Sequence, residues 1–183
     1  MPRAAHRPSQ RDALLDSALD LIRGGEALSL DSAARAAGVT KPGLMYHFPT
    51  KEALVTALVD HLLDSFERDL EALVPAGTAA PAHERLAAYA RWALAHEHDA
   101  ADLAMLSDPR LRVAMCARWT TRFRAWVEVP DDLPAPQRGR LNAVRLLADG
   151  CWYADAMDVL PLVGRDRDAV LAAALDLLES TGA

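Results

Sequence analysis

The stretch SLDSAARAAGVTKPGLMYHFPTKEAL, Ser29 to Leu54, reads as two short helices joined at a glycine and followed by the capped start of a third. Ser29 is a good N-cap for a helix that carries Leu30, Ala33, Ala34 and Ala37 on one side. Gly38 supplies the left-handed residue that lets the chain turn sharply, and Thr40 caps the second helix. Pro42 falls in that helix's first turn, where backbone N–H groups have no intrahelical partner. A helix, a tight glycine turn and a second helix offering Lys41, Tyr46 and His47 is the helix-turn-helix layout, whose second helix enters a DNA major groove by its N-terminal end.

Working outward, helical spacing recurs along nearly the whole chain and no stretch alternates with period two for long, so the expected fold is all-α with about nine helices. Ser9 caps a first helix with Leu14, Leu15, Ala18, Leu19 and Ile22 on its apolar stripe, ending at Gly24-Gly25. Thr50 caps a long helix over about 51–74, with Leu54, Leu58, Leu62, Phe66 and Leu70 at intervals of four. After the small-residue connector PAGTAAP, helices are expected over about 82–98, to 106, from 107 to 127, 137–159 and 166–179, with Pro130, Pro134, Pro136, Pro161 and Gly164 between the last three. The division expected is a three-helix head, residues 1–55, and a C-terminal helical bundle, residues 56–183, with the long helix as the mechanical link.

At 183 residues and 51% apolar content the chain is long enough for a sizeable core. MPRAAHRPSQ has no apolar h-region, and no window approaches the roughly 18–20 apolar residues that span a bilayer, so a cytoplasmic protein without a membrane partner is expected. Cys116 and Cys151 stand apart with no Cys-x-x-Cys spacing and read as reduced core thiols. The net charge of −6 is unevenly placed: seven basic residues meet six acidic ones through Val55, while thirteen meet twenty in the remainder. Arg3, Arg7 and Arg11 precede any carboxylate, as suits a basic arm reaching along a nucleic-acid backbone or into a minor groove, or an ordinary solvated tail.

Trp119, Phe123 and Trp126 at i, i+4 and i+7 share one helix face, with Arg118, Arg122 and Arg124 interleaved. That spacing fits core or pocket lining with snorkelling Arg stems better than a nucleic-acid platform. Trp92, Met105, Met115, Trp152, Tyr153 and Met157 add large or adaptable side chains, which fill a solid core or line an apolar cavity; the sequence leaves both open. His96 and His98, two apart on a helix, point about 200° apart and cannot grip one ion as an i, i+4 pair does, so no metal site is expected. No nucleophile elbow, phosphate loop or spaced carboxylate pair nominates a catalytic group, so neither an enzyme nor a cofactor is expected. Leu141, Val144, Ala148, Val170, Leu171, Ala174, Leu175 and Leu178 give the last two helices wide apolar faces.

The run Val39 to Leu54, with Leu-x-Tyr-His-Phe followed by Lys-Glu-x-Leu, resembles the recognition helix and following turn of the tetracycline-repressor (TetR/AcrR) family of transcriptional regulators. Many members carry Tyr where this chain has Met45. The resemblance implies a ligand-responsive regulator, most simply a repressor, that binds a palindromic double-stranded DNA operator as a homodimer and is released by a small apolar effector. It places Thr40, Lys41, Pro42 and Tyr46 on base edges or phosphates. His47, Lys51, Arg3 and Arg7 would hold backbone phosphates, with Ser29 adding one at the other helix's start. It also implies an effector cavity among Trp92, Met115, Trp119, Phe123, Trp152 and Met157, and a dimer seam on the apolar faces of the last two helices. The alternatives are a helical ligand-binding protein or enzyme without operator binding, and a DNA-binding protein without an effector.

Overall fold

The structure is a computed structural model and describes residues 9–106 and 108–179. Eight α-helices form it: α1 (Gln10–Arg23), α2 (Leu30–Ala36), α3 (Lys41–His47), α4 (Lys51–Leu73), α5 (Ala82–Ala95), α6 (Arg112–Val127), α7 (Ala135–Ala156) and α8 (Arg165–Glu179). Two 3-10 segments, Gly77–Ala79 and Ala100–Leu106, complete the regular structure, and no strand occurs among the described residues. The all-α expectation agrees with this. The ninth element, the short one ending at Leu106, is a 3-10 segment kinked at Leu103.

Side-chain caps set the helices of the head. Ser9 and Asp12 form a reciprocal box at α1, and Ser29 and Ser32 form one at α2. Thr40 Oγ1 accepts the Gly43 N–H at 3.2 Å and Thr50 Oγ1 accepts the Ala53 N–H at 3.0 Å. Each such cap is worth about 1 kcal/mol, so the short helices α2 and α3 hold without a long ladder of their own. Between them Gly38 sits at φ +65°, which returns the Val39 N–H to the Ala34 carbonyl at 3.0 Å. Leu44 and Phe48 then plug α3 into a core with Leu14, Leu15, Ala18, Leu54 and Leu58, all buried. The Arg11 guanidinium covers the Phe48 ring at 5.0 Å.

That core continues without a break along α4 into the bundle, through Leu63, Phe66 and Leu70. At 1.5 Å per residue the 23 residues of α4 span roughly 34 Å. In the bundle α5 is central, packed by α4, α6, α7 and α8, with Leu86, Tyr89, Ala90 and Ala93 wholly enclosed. Two arginines tie helix ends into the bundle. Buried Arg85 donates to the carbonyls of Ala80, Ala125 and Glu128, tying the end of α6, while Arg167 of α8 donates to those of Ala93, Leu94 and His96 at the end of α5. The Tyr89 hydroxyl donates to Asp149 at 2.8 Å, and burial pushes that hydroxyl's pKa well up, with the carboxylate adding to the effect.

Several helix ends differ from the sequence expectation, each for a tertiary reason. α5 stops at Ala95 because Arg167 collects its last carbonyls and His96 turns extended (φ −102°, ψ 149°). His96 and His98 are therefore loop residues. The helical i, i+2 geometry that argued against a metal pair does not describe them, although no cluster of three metal-ligating side chains occurs among the described residues. α6 starts at Arg112 after a turn in which Asp108 accepts the Arg110 N–H at 2.9 Å. α7 starts at Ala135, with Pro136 absorbed in its first turn, and ends before Asp158 and Leu160, which take positive φ. No helix among the described residues is long and apolar enough to cross a membrane.

Of the eight residues expected to form a seam on α7 and α8, five are not free to do so. Leu141, Val144, Ala148, Ala174 and Leu178 are buried within the single chain, where both helices pack on α5, so they offer no surface to a second copy. Val170, Leu171 and Leu175 are half-buried. The open face of α7 is instead Gly139, Ala143, Leu146, Gly150 and Tyr153, at spacings of four and three, and a Cβ built at either glycine meets nothing within 4 Å.

Candidate nucleic-acid interface and aromatic cavity

Thr40 to Gly43, Met45 and Tyr46 are all exposed, and Leu44 alone among them turns into the core. Tyr46 is 86% exposed, with its ring edge-on to His47 at 5.1 Å. Among the described residues nothing covers that ring, so an aromatic side chain is held out at the surface by a helix anchored through Leu44. A Cβ at Gly43 would lie 3.2 Å from the capping oxygen of Thr40, so glycine suits the crowded first turn. Lys41 pairs with Asp31 at 2.9 Å, both side chains well exposed, which steadies α3 against α2 while leaving the ammonium open to a competitor. Lys51 pairs across to Asp108 at 2.7 Å, and that contact holds the Asp108 carboxyl below its usual range. The Ser29 hydroxyl and N–H are both engaged in the capping box with Ser32. Arg3 and Arg7 lie outside the described residues.

The second candidate region is a cavity of about 260 Å³ between α1, α4, the end of α5 and the Ala100–Leu106 segment. Trp92, Trp119 and Trp152 line it together with Phe66. Trp119 and Trp152 stack at 5.5 Å with 7° between planes, and Phe66 meets Trp92 edge-on at 4.8 Å. Phe123 stands behind this wall, 5.0 Å from Phe66 and 5.8 Å from Trp119. Met115 is buried, its sulfur 3.8 Å from Thr56 Oγ1. Met157 is 58% exposed beyond the end of α7 and does not join the group.

The sequence reading did not assign to this cavity Phe66, His61, Asp69 and His98. Phe66 was visible as part of the α4 stripe, and Asp69 follows it three residues on, hence on the same face. His98 had no local signal. It is buried beside Trp92, ring centroids 4.5 Å apart, with Nδ1 2.9 Å from an Asp102 oxygen, while Nε2 has no partner among the described residues. The Trp152 Nε1 is likewise buried without one.

Ion pairs fasten α4 to α6 alongside the cavity. Arg118 holds both oxygens of Asp60 at 2.5 and 2.7 Å, and Arg122 bridges Asp64 at 2.7 Å and Glu67 at 2.5 and 3.0 Å. Arg118 and Arg122 thus face carboxylates of α4, while Arg124 pairs with Glu128 at the end of its own helix, 3.5 Å away. Cys116 and Cys151 are free, and burial pushes the Cys151 thiol's pKa up.

Residues 14–58 match the family model of bacterial regulatory proteins, tetR family, and residues 83–179 match that of the tetracyclin repressor-like C-terminal domain. The HTH-type transcriptional regulator BetI of Brucella suis is 37% identical over 91 residues, which are 48% of this chain and 44% of BetI. The HTH-type transcriptional regulator EthR of Mycobacterium tuberculosis is 27% identical over 152 residues, covering 79% of this chain and 70% of EthR. The match to BetI therefore spans less than half of that relative's length. Among solved structures, the multidrug binding protein EbrR complexed with malachite green superposes with a TM-score of 0.61 at 22% identity, covering 93% of this chain and 98% of that one, a likeness of fold.

Proposed function

We propose that this chain, which belongs to the tetR family of bacterial regulatory proteins, is a cytoplasmic repressor that binds a palindromic operator as a dimer and is released by a small effector. Residues 1–55 act as the reading head and the rest as the effector and dimer part. The observation that carries this reading is the make-up of the cavity wall: α1 and α4, which frame the head, also supply Leu19, Leu62 and Phe66 to the cavity. A ligand seated against those side chains must press on the elements that carry α3. Occupancy then shifts the population between head positions by the ligand's difference in affinity for them.

In this reading Thr40, Lys41, Pro42 and Tyr46 meet the groove, and His47 and Lys51 hold phosphates. The dimer seam uses the open α7 face of Gly139, Ala143, Leu146, Gly150 and Tyr153, whose small residues allow close helix approach. The effector presents flat apolar surface to the rings. The test is selection of bound sequences from a random duplex pool, followed by sedimentation of the selected complex. Recovery of an inverted repeat bound by two chains is expected. Enrichment of no sequence, or a single chain on a single half-site, would exclude the operator-binding dimer.

A further inference from the structure

We propose that the turn leading into α6 is a second contact for the DNA backbone, with Arg110 and Arg112 as the side chains that take phosphates. This extends the operator reading above to a part of the bundle and rests on it. The first support is position. The Lys51 ammonium, which opens α4 beside the end of α3, bonds one oxygen of Asp108 at 2.7 Å, and the other oxygen of that carboxylate accepts the Arg110 N–H at 2.9 Å. The Arg110 backbone therefore stands one carboxylate away from an ammonium assigned to a phosphate. Successive phosphates of one strand advance only about 3.4 Å along the duplex axis, so a strand that reaches Lys51 brings its next phosphates within range of long side chains rooted there.

The second support is that the turn is ordered by its own bonds. The Asp108 carbonyl accepts the N–H groups of Leu111 at 3.1 Å and Arg112 at 2.9 Å, and Pro109 stiffens the chain between them. Leu111 packs against the core, while Arg110 and Arg112 on either side of it are exposed. The backbone carrying the two guanidiniums is in place before DNA arrives, so docking has only the side chains to fix.

The third support is charge. Elsewhere in the bundle Arg118, Arg122, Arg138, Arg145 and Arg167 each hold a carboxylate. Neither Arg110 nor Arg112 forms an ion pair among the described residues, and the first turn of α6 carries no acid that could supply one. Arg110 meets Asp108 through its backbone N–H and feels that carboxylate's charge without direct side-chain contact. Asp108 is itself engaged by Lys51, with only 12% of its side chain exposed. In a bundle where acids outnumber bases, two open guanidiniums beside Lys51 make a positive edge next to the reading head.

The test measures how salt weakens binding of the full chain to the selected operator duplex and to a random duplex of equal length. Arg110→Ala combined with Arg112→Ala is expected to lower the slope of log affinity against log salt by about two for each chain bound, on both duplexes, with an unchanged melting temperature. Arg110→Lys combined with Arg112→Lys is expected to keep the parent slope, since a phosphate also accepts an ammonium. Arg91→Ala removes the same charge beside Leu73, at the far end of α4, and is expected to leave the slope alone. Hydroxyl-radical footprinting is expected to show sugar positions beside each half-site that the parent protects and the double alanine variant does not. A parent-like slope or footprint in the double alanine variant, or an equal drop in Arg91→Ala, would overturn the inference. Selection of an inverted repeat by the parent leaves the operator reading standing in that case. If the parent selects no sequence while the double alanine variant lowers the slope on random duplex, the turn is a phosphate-binding surface and the operator reading alone falls.

Discussion

The two ends of α4 present opposite kinds of surface. At the Lys51 end the chain holds side chains out: Tyr46 stands almost fully in solvent, and Lys41 and Lys51 rest on carboxylates they can exchange for another anion. Fifteen residues further on, Phe66 is buried among rings from α5, α6 and α7, with carboxylates around them. The difference shows how one long helix can join an exposed surface to an enclosed aromatic wall. In the proposed reading, affinity at the exposed end comes from contacts made only when the DNA arrives. At the enclosed end much of the aromatic surface is already ordered, so a ligand meets little conformational cost.

The comparison breaks first at the anchor of α3. Leu44→Ala should cost about 2–5 kcal/mol, because Leu44 is fully buried and is the plug on which the exposed face depends. Denaturant titration measures it. Loss of less than about 1 kcal/mol would mean that α3 is held by its caps rather than by its core contact. Within the bundle, Arg85→Met should cost about 2–4 kcal/mol, since three carbonyls lose their donor in a half-dry setting. A stability equal to the parent would show that water reaches those carbonyls.

Tyr46→Ala should sharpen the comparison. It removes a ring that is 86% exposed and, among the described residues, meets only the His47 ring, so the melting temperature should stay close to the parent's. Specific operator binding should weaken by about 1–3 kcal/mol if the ring reads a base edge. An equal loss on specific and random duplexes would move Tyr46 to the phosphates, and parent-like binding on both would take it out of the interface. Leu146→Glu on the open α7 face should leave helicity intact and yield a monomer by sedimentation. An intact dimer would place the seam elsewhere.

These two ends were not equally legible in the sequence. Ser29, Thr40 and Thr50 announce helix starts through bonds to residues three further on, and Gly38 announces a turn through its own φ, so the head could be read from its neighbours alone. Such signals are local. The cavity is not. His98 reaches it because α5 ends at Ala95, and α5 ends there because Arg167, some seventy residues along the chain, caps it. The periodicity of the segment continued to His98 and gave no hint of that. The α7 and α8 residues show a related limit: Leu141, Val144 and Ala174 are apolar whether α5 or a second copy covers them. Position in the chain could not separate those cases, whereas the exposed run Gly139, Ala143, Leu146, Gly150 and Tyr153 is defined only once α5 has taken its share. Among the aromatic residues, composition grouped Met157 with the rings, but the chain turns away at Asp158 and leaves it in solvent.

The smallest expected effect lies where the two regions touch. Lys51 opens α4 and pairs with Asp108 in the turn before α6, so a side chain assigned to a DNA phosphate is shared with the bundle in the free protein. The ammonium's hydrogen bond is the main reason the Asp108 carboxyl is held low. A lowered carboxyl pKa means that the pair's contribution is present above the ordinary carboxylate range and is lost only as pH falls through the lowered value, so it is intact at neutral pH. Lys51→Ala should reduce the slope of log affinity against log salt by about one for each phosphate that the ammonium neutralises. Asp108→Asn should act in the opposite direction, with a modest rise in operator affinity at low salt, because Lys51 then reaches the phosphate without first leaving a carboxylate. The double variant decides the matter. If Asp108→Asn raises affinity equally with and without Lys51, the gain comes from removing a negative charge near DNA, and the two regions do not share that side chain. If the gain disappears in the Lys51→Ala background, the pair is a point at which the bundle and the operator compete for one ammonium.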